Sequence, residues 1–205
     1  MIQLHAHPFS GNARKVHWAL EEMGADYTYH LVDLMSGAHK RPEFVALNPH
    51  GRVPVLEDDG FVLYESNAIL LHVAARHGKG SYLGKNEQER ALIHQWLFVQ
   101  AFDLQPYLQK AFVTKLYASL GQAFDADAHA RALQELPSGL GVLDQHLAGK
   151  TYVVGEELTI ADIAIGEVIG IADFAGCDLA PYSNIRAWFG RISERPAFKK
   201  TRPKG

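Results

Sequence analysis

Residues 53–74 read VPVLEDDGFVLYESNAILLHVA, and the architecture of the first half of the chain follows from them. Two short apolar runs, Val53 to Leu56 and Phe61 to Tyr64, flank Asp58, Asp59 and Gly60. An Asp-Gly pair between such runs is a hairpin signal, because the tight turn that suits strand twist needs positive φ, which Gly and Asp tolerate. From Ser66 the period lengthens, and Ile69, Leu70, Val73 and Ala74 share one helical face. Pro54 stands inside the first strand. Proline donates no ladder hydrogen bond, so that strand is an edge or is broken there, and Val53 is left with an N–H and a C=O in want of partners.

Upstream, Ile2 to His5 reads as a strand, followed by a loop from His7 to Gly11. Val16, Ala19, Leu20 and Met23 then mark one face of a helix that ends at Gly24, and Tyr27 to Val32 is β-rich. The order β-α-β-(α)-β-β-α starts parallel and ends antiparallel. Residues 78–86, rich in Gly, Lys and Ser, read as a linker. Beyond them helical periodicity takes over. Leu92, Trp96, Val99 and Asp103 form one stripe and Ile93, Leu97 and Leu104 another, so this helix is expected to pack on two sides and to kink at Pro106. Leu133, Leu136, Leu140, Leu143 and Leu147 define a further helix in which Pro137 predicts a bend or break. Thr159-Ile160-Ala161-Asp162 is a capping box, and Ile185, Trp188, Phe189 and Ile192 give a last amphipathic helix. The expected fold is an α/β domain over 1–77, a linker over 78–86 and an all-helical bundle over 87–205.

Composition narrows the function. With 205 residues, 47% hydrophobic and 21% charged, the chain has an ordinary globular balance, not that of a disordered or coiled-coil sequence. Its 20 basic and 23 acidic residues divide as 7 against 9 in 1–80 and therefore 13 against 14 in 81–205, so neither half attracts nucleic acid. Arg195, Lys199, Lys200, Arg202 and Lys204 form a basic tail, which reads as a solvated end. Cys177 is the single cysteine, so no internal disulfide, CxxC redox pair or thiolate zinc site is available. There is no signal-peptide pattern and no apolar run long enough to span a bilayer, which sets the expectation of a cytoplasmic protein without membrane contact. The eleven histidines are scattered without metal-ligand spacing, so no metal is expected.

Three clusters could carry chemistry. Pro8-Phe9-Ser10-Gly11-Asn12-Ala13-Arg14 joins the first strand to the first helix, where Ser10 is either a plain N-cap or a functional hydroxyl. Asn48 to Leu56 contains the strand broken at Pro54, either an ordinary edge or one that a peptide can complete as an added strand. Glu65-Ser66-Asn67 opens the next helix, whose free N–H groups favour a carboxylate, although a simple cap would look the same.

Taken with Gly37 to Pro42, the stretch from Ser10 to Leu71 resembles the N-terminal, thioredoxin-like domain of cytosolic glutathione transferases. His39 to Ile69 looks most like the phi class, with theta-like bacterial enzymes close behind. The likeness continues through Leu158 to Asp162 and Arg195-Pro196-Ala197. It implies that Ser10 holds the glutathione sulfur, with Asn12 as a second donor, and that Val53, before a cis Pro54, pairs with the cysteinyl backbone. It further implies that Glu65 and Ser66 bind the γ-glutamyl end, that His39 and Lys40 meet the glycine carboxylate with help from Arg52, and that Asp103 reaches the γ-glutamyl amine across a homodimer. Phe9, Met35, Phe102, Tyr107 and Phe112 are candidates for lining an apolar electrophile pocket, or else belong to the core. Glutathione would be a co-substrate, with no cofactor. The absence of cysteine before position 177 removes thiol reductase chemistry. Glutathione-dependent peroxidase or isomerase activity, and a non-catalytic binding module, are the alternatives. A serine hydrolase would need a GxSxG elbow that Ser10 lacks.

Overall fold

Along the chain run β1 (Ile2–Ala6), α1 (Gly11–Met23), β2 (Tyr27–Leu31), α2 (Pro42–Leu47), β3 (Val55–Asp58), β4 (Phe61–Tyr64), α3 (Ser66–His77), α4 (Glu87–Val99), α5 (Gln105–Ser119), α6 (Ala126–Leu147), α7 (Ile160–Ile169), α8 (Ala172–Ala175), α9 (Ser183–Ser193) and α10 (Pro196–Lys200). A computed structural model describes residues 1–78, 80, 82–121 and 123–203. They fall into two units, Met1–Leu83 with Arg195–Gly205, and Gly84–Glu194. Lys79 and Ser81 of the linker and Lys204 of the basic tail lie outside the described residues.

In the first unit the strand order is β2-β1-β3-β4, with β1 parallel to β2 and antiparallel to β3. The hairpin forms as read: Asp58 pairs with Phe61, and Asp59 and Gly60 turn with φ of 50° and 86°. β3 begins at Val55, two residues later than its apolar run suggests, because Pro54 has no N–H for the ladder. Ile2, Leu4 and Ala6 of β1 are buried, α1 packs on β1 and on α3, and the expected faces of the two helices, Val16, Ala19, Leu20 and Met23 on α1 and Ile69, Leu70, Val73 and Ala74 on α3, are buried. Gly24 closes α1 in the left-handed conformation, as its position in the sequence predicts. On the opposite face Val32, Phe44 and Val55 form a small core that seats α2.

Asp58 ties the hairpin to α3. His72 Nε2, Arg76 Nε and His77 Nε2 lie 2.9, 3.0 and 3.3 Å from the same Oδ2 of this buried carboxylate. Burial pushes its pKa up, but the three donors prevail and hold it below the usual aspartate range.

The end of the chain returns to the first unit instead of extending the helical one to residue 205. Phe198 on α10 meets Trp18 edge-on at 4.9 Å, Arg195 Nε donates to Glu22 Oε1 at 2.9 Å, and Lys200 Nζ donates to Glu21 Oε2 at 2.7 Å. The basic tail thus places two of its cations on α1.

In the second unit the expected kink at Pro106 takes the form of a π-helical segment, Gln100–Leu104, in which Gln105 N–H reaches back to Gln100 C=O. Such widening lets a helix pass a residue that cannot donate. Pro137, by contrast, does not break α6, which continues for 22 residues with the proline on its exposed side. Packing overrides propensity: at Gly139 a Cβ would lie 2.8 Å from Asp103 C=O, so α6 and the π-helical segment meet closely. Ile93, Trp96, Leu97 and Leu104 are buried, but Leu92, Phe98 and Phe102 stay 42%, 64% and 68% exposed, so a single chain covers only one side of this helix.

The capping box is present, and it does more than cap. Asp162 Oδ2 accepts from Thr159 N–H at 2.9 Å, while Oδ1 takes Val153 N–H at 2.8 Å and Trp188 Nε1–H at 2.9 Å. The fully buried carboxylate therefore joins a loop and α9 to α7.

Stranding buried donors costs about 1–3 kcal/mol each, so Asp162→Ala should lower the thermal midpoint by about 6 °C or more; an unshifted transition would contradict this role. Because folded Asp58 titrates below its unfolded value, its contribution is present above the ordinary aspartate pKa and is lost as pH falls through the lowered one. Asp58→Asn should accordingly flatten the acid side of a stability-against-pH curve measured by urea unfolding, and an identical acid limb in both proteins would count against it.

Candidate active site

Ser10 is the N-cap of α1, with φ −87° and ψ 113°. Its Oγ accepts from Ala13 N–H at 3.4 Å, a long bond, and its C=O accepts from Arg14 N–H at 2.8 Å. The plain capping role is therefore real. It does not consume the functional one, because capping uses a lone pair and leaves the hydroxyl proton to donate. Asn12 Oδ1 accepts from Ser66 Oγ at 3.1 Å, and Lys15 Nζ donates to Asn67 Oδ1 at 2.7 Å. These two ties join the N-terminal turns of α1 and α3, so Asn12 and Ser66, far apart in sequence, come together beside the helix start that Ser10 caps.

Glu65 precedes α3 with φ 69° and ψ 108°, and its exposed side chain makes no capping bond. A non-glycine residue held at positive φ costs about 1–3 kcal/mol, and such strain gathers at binding sites. The carboxylate and the first N–H groups of α3 are thereby left side by side.

The loop from Asn48 to Val53 is braced from within. Buried Asn48 accepts from His50 N–H at 3.0 Å and donates to Arg52 C=O at 2.7 Å. Lys40 Nζ donates to Gly51 C=O at 2.9 Å and His50 C=O at 3.3 Å, which docks the 3₁₀ turn Ala38–Lys40 on this loop. Gly51 has φ 56°, and a Cβ there would lie 2.8 Å from His39 C=O. His39, Lys40, Gly51 and Arg52 are thus neighbours. The Val53–Pro54 peptide is cis, and no hydrogen bond to a described residue engages the Val53 backbone. His39 Nδ1 is buried without a partner, and burial, helped by the Lys40 ammonium, lowers its pKa, leaving the ring neutral at neutral pH.

The candidates for the electrophile pocket are divided between the two units. Phe9 and Met35 are exposed in the first unit. In the second, Phe102 stacks on Phe98 at 6.3 Å, Phe112 meets Phe174 at 5.0 Å, and Tyr107 is half-buried on α5. Asp103 is exposed within the π-helical segment. Sequence reading missed the bracing roles of Asn48, Gly51, His7 and Arg14. Asn48 alone had a readable signal, an Asx turn before His50 and Gly51. Cys177 fits an inert residue, its thiol pushed up by burial and by Asp178. Among the described residues no group of three or more His, Cys, Asp or Glu could hold a metal ion, and no helix is long and apolar enough to cross a membrane.

A mixed four-stranded sheet with a cis-proline before β3, followed in the chain by a helical bundle, defines a thioredoxin-like protein with an all-helical second domain. The chain belongs to the glutathione S-transferase family: residues 2–75 match that family's N-terminal domain and residues 92–196 its C-terminal domain. It is 34% identical to glutathione S-transferase 3 of Zea mays over 98% of this chain and 92% of that one. A solved glutathione S-transferase from Pseudomonas fluorescens is similar at 32% identity with TM-score 0.88, covering 96% of each chain. A glutathione S-transferase-I bound with lactoylglutathione is similar at 28% identity and TM-score 0.88, over 98% of this chain and 97% of that one.

Forcing a side chain into the left-handed region costs about 1–2 kcal/mol before the clash with His39 is counted. Gly51→Ala is therefore expected to destabilise the protein by at least that much in urea unfolding, and a wild-type midpoint would show that the two turns are not docked this way.

Proposed function

We propose that this family member is a glutathione transferase of the serine type, which stabilises the glutathione thiolate with the Ser10 hydroxyl and adds it to apolar electrophiles. The observation that carries the reading is the state of Ser10: capping leaves its proton uncommitted, at the positive end of α1 and near the Asn12–Ser66 tie. The names of its relatives, and the bound lactoylglutathione in one of them, support glutathione as the thiol. In this reading Val53 offers its unpaired backbone to the cysteinyl unit as an added strand. Glu65, Ser66 and the first turn of α3 take the γ-glutamyl end, and His39, the remaining Lys40 proton and Arg52 take the glycine carboxylate. Asn12 is a second donor to the sulfur, and no cofactor is needed.

The magnitudes close. A thiol with pKa near 8.5 becomes mostly thiolate at neutral pH after a drop of about two units, worth about 2.7 kcal/mol. One hydrogen bond to a charged group contributes about 1.5–3 kcal/mol, and a helix N-terminus about 0.3–1 kcal/mol more. Peroxidase or isomerase turnover would begin from the same thiolate and differ in the second-substrate pocket.

The exposed apolar residues Leu92, Phe98 and Phe102 support a homodimer, in which Asp103 on the same segment would serve the partner's glutathione. Phe9, Met35, Phe102, Tyr107 and Phe112 would receive the electrophile, and the cytoplasm, where glutathione is abundant and thiols stay reduced, is the fitting location.

Ser10→Ala should leave the glutathione KM within about twofold of wild type, raise the bound thiol pKa by about 1–2 units and lower kcat for an aryl halide by about 10–100-fold. Titration of thiolate absorbance in the two proteins measures this directly. Coincident titrations would refute the serine role, and absence of glutathione binding to folded wild type would refute the enzyme.

A further inference from the structure

The loop that carries Ser10 contains a brace that capping does not explain. Pro8 has no N–H, so between His7 and α1 only Phe9 and Ser10 have backbone donors to place, and both end on His7. Ser10 N–H donates to His7 C=O at 3.0 Å, and Phe9 N–H donates to His7 Nδ1 at 3.2 Å. The C=O of the same Pro8–Phe9 peptide accepts from Arg14 Nη1 at 3.1 Å. One peptide plane, a single residue ahead of Ser10, is thus held at its oxygen by a guanidinium and at its nitrogen by an imidazole.

We propose that His7 is a positioning residue for Ser10: its neutral Nδ1 fixes the Pro8–Phe9 peptide that aims the serine hydroxyl, and protonation of His7 releases that peptide. This rests on Ser10 being the group that holds the glutathione sulfur. The chemistry is one-sided. Neutral imidazole with its proton on Nε2 presents an acceptor at Nδ1, whereas imidazolium donates from both nitrogens and would set Nδ1–H against Phe9 N–H. The pattern, a side-chain acceptor taking the N–H two residues on, is the one an Asx turn uses, so His7 does with a titratable ring what Asn does permanently.

The surroundings keep the ring neutral at neutral pH. Burial lowers the His7 pKa, and Asp33, in the segment after β2, opposes this without overcoming it. The Asp33 carboxylate is engaged with Met35 N–H at 3.0 Å and Ser36 N–H at 3.2 Å. From α1 Arg14 reaches the Pro8 carbonyl, and from the loop itself the Phe9 ring lies 5.7 Å from His7. The brace is therefore intact above the ordinary imidazole range and weakens as pH falls through the lowered pKa of folded His7. Hydrogen bonds fall off steeply with misalignment, so a loosened peptide plane reaches the reaction through the Ser10–sulfur bond, and hence through kcat more than through KM.

The test compares wild type, His7→Phe and His7→Asn. In ligand-free protein the Phe9 amide resonance should titrate together with the His7 ring in wild type and be flat in His7→Asn. In turnover of glutathione with 1-chloro-2,4-dinitrobenzene, His7→Phe should lose about tenfold in kcat with the glutathione KM within about twofold, the scale of one lost hydrogen bond. His7→Asn, which restores the acceptor, should recover most of that loss, and its kcat relative to wild type should rise as pH falls, since a group one unit below its pKa is about 90% protonated. A Phe9 amide indifferent to His7, or a His7→Phe enzyme with wild-type kcat, would overturn the proposal. If wild type shows no turnover, the transferase reading fails, while the amide titration still decides the brace.

Discussion

Pro54 has no N–H to give, and much of the first unit is arranged around that lack. β3 cannot begin before Val55, so residues 48–53 receive no ladder hydrogen bonds and must be held by other means. Asn48 supplies two of them from a buried side chain, and Lys40 supplies two more from the neighbouring turn. What remains is a segment rigid in its side-chain anchoring and empty in its main-chain pairing at Val53. Rigidity and vacancy together distinguish a peptide-binding edge from a frayed one, because a peptide that adds there does not have to order the edge first.

The polar groups around this edge are economical with charge. Arg14 and Lys40 donate to main-chain carbonyls of the loops, and His7 and His39 are kept neutral by burial. At the sulfur end of the proposed site, positive potential then comes largely from oriented N–H groups at the starts of α1 and α3 and from a single hydroxyl proton. Dipoles fixed by the fold need no reorganisation when a thiolate forms, whereas a mobile lysine would have to be held at an entropic cost. The Asn12–Ser66 and Lys15–Asn67 ties matter for this reason: they set the distance between two dipoles that would act on different ends of one tripeptide.

Local chemistry made parts of this legible in sequence. The Asp59-Gly60 turn, the stop at Gly24, the Thr159–Asp162 box and the faces of α1 and α3 depend on residues within a few positions of one another, and each is found where the pattern puts it. Ser10 was legible as a cap, and the sulfur-binding role proposed for it came through resemblance. Contacts of long range were not legible. Nothing near Gly51 announces that His39 C=O will press on it, and nothing near Arg195 says that Glu22 awaits it. The two prolines show the same divide. Pro106 falls in the first turn of α5, just after a π-helical segment, where a missing N–H costs little, whereas Pro137 lies inside an unbroken α6 that approaches the π-helical segment closely at Gly139, a long-range contact that the local pattern does not announce.

The return of the tail changes what counts as the glutathione-binding unit. Its helix α1, with Ser10 at one end, carries Trp18 fully buried, and part of that burial is the edge of Phe198, nearly the whole length of the chain away. Trp18 Nε1 donates to Glu22 Oε2 at 3.1 Å, and the other oxygen of Glu22 takes Arg195. One carboxylate therefore serves an indole of α1 and a guanidinium of the tail at once. Because the unit closes only after residue 194, its chain crosses to the helical unit and back, and α1 cannot be complete until the last residues have been added. A segment ending at residue 77 would hold every proposed glutathione contact of the first unit and yet leave the Trp18 ring without Phe198 and one oxygen of Glu22 without Arg195. The economy of the site in charge is thus matched by a dependence on distant packing to keep the helix that Ser10 caps in place.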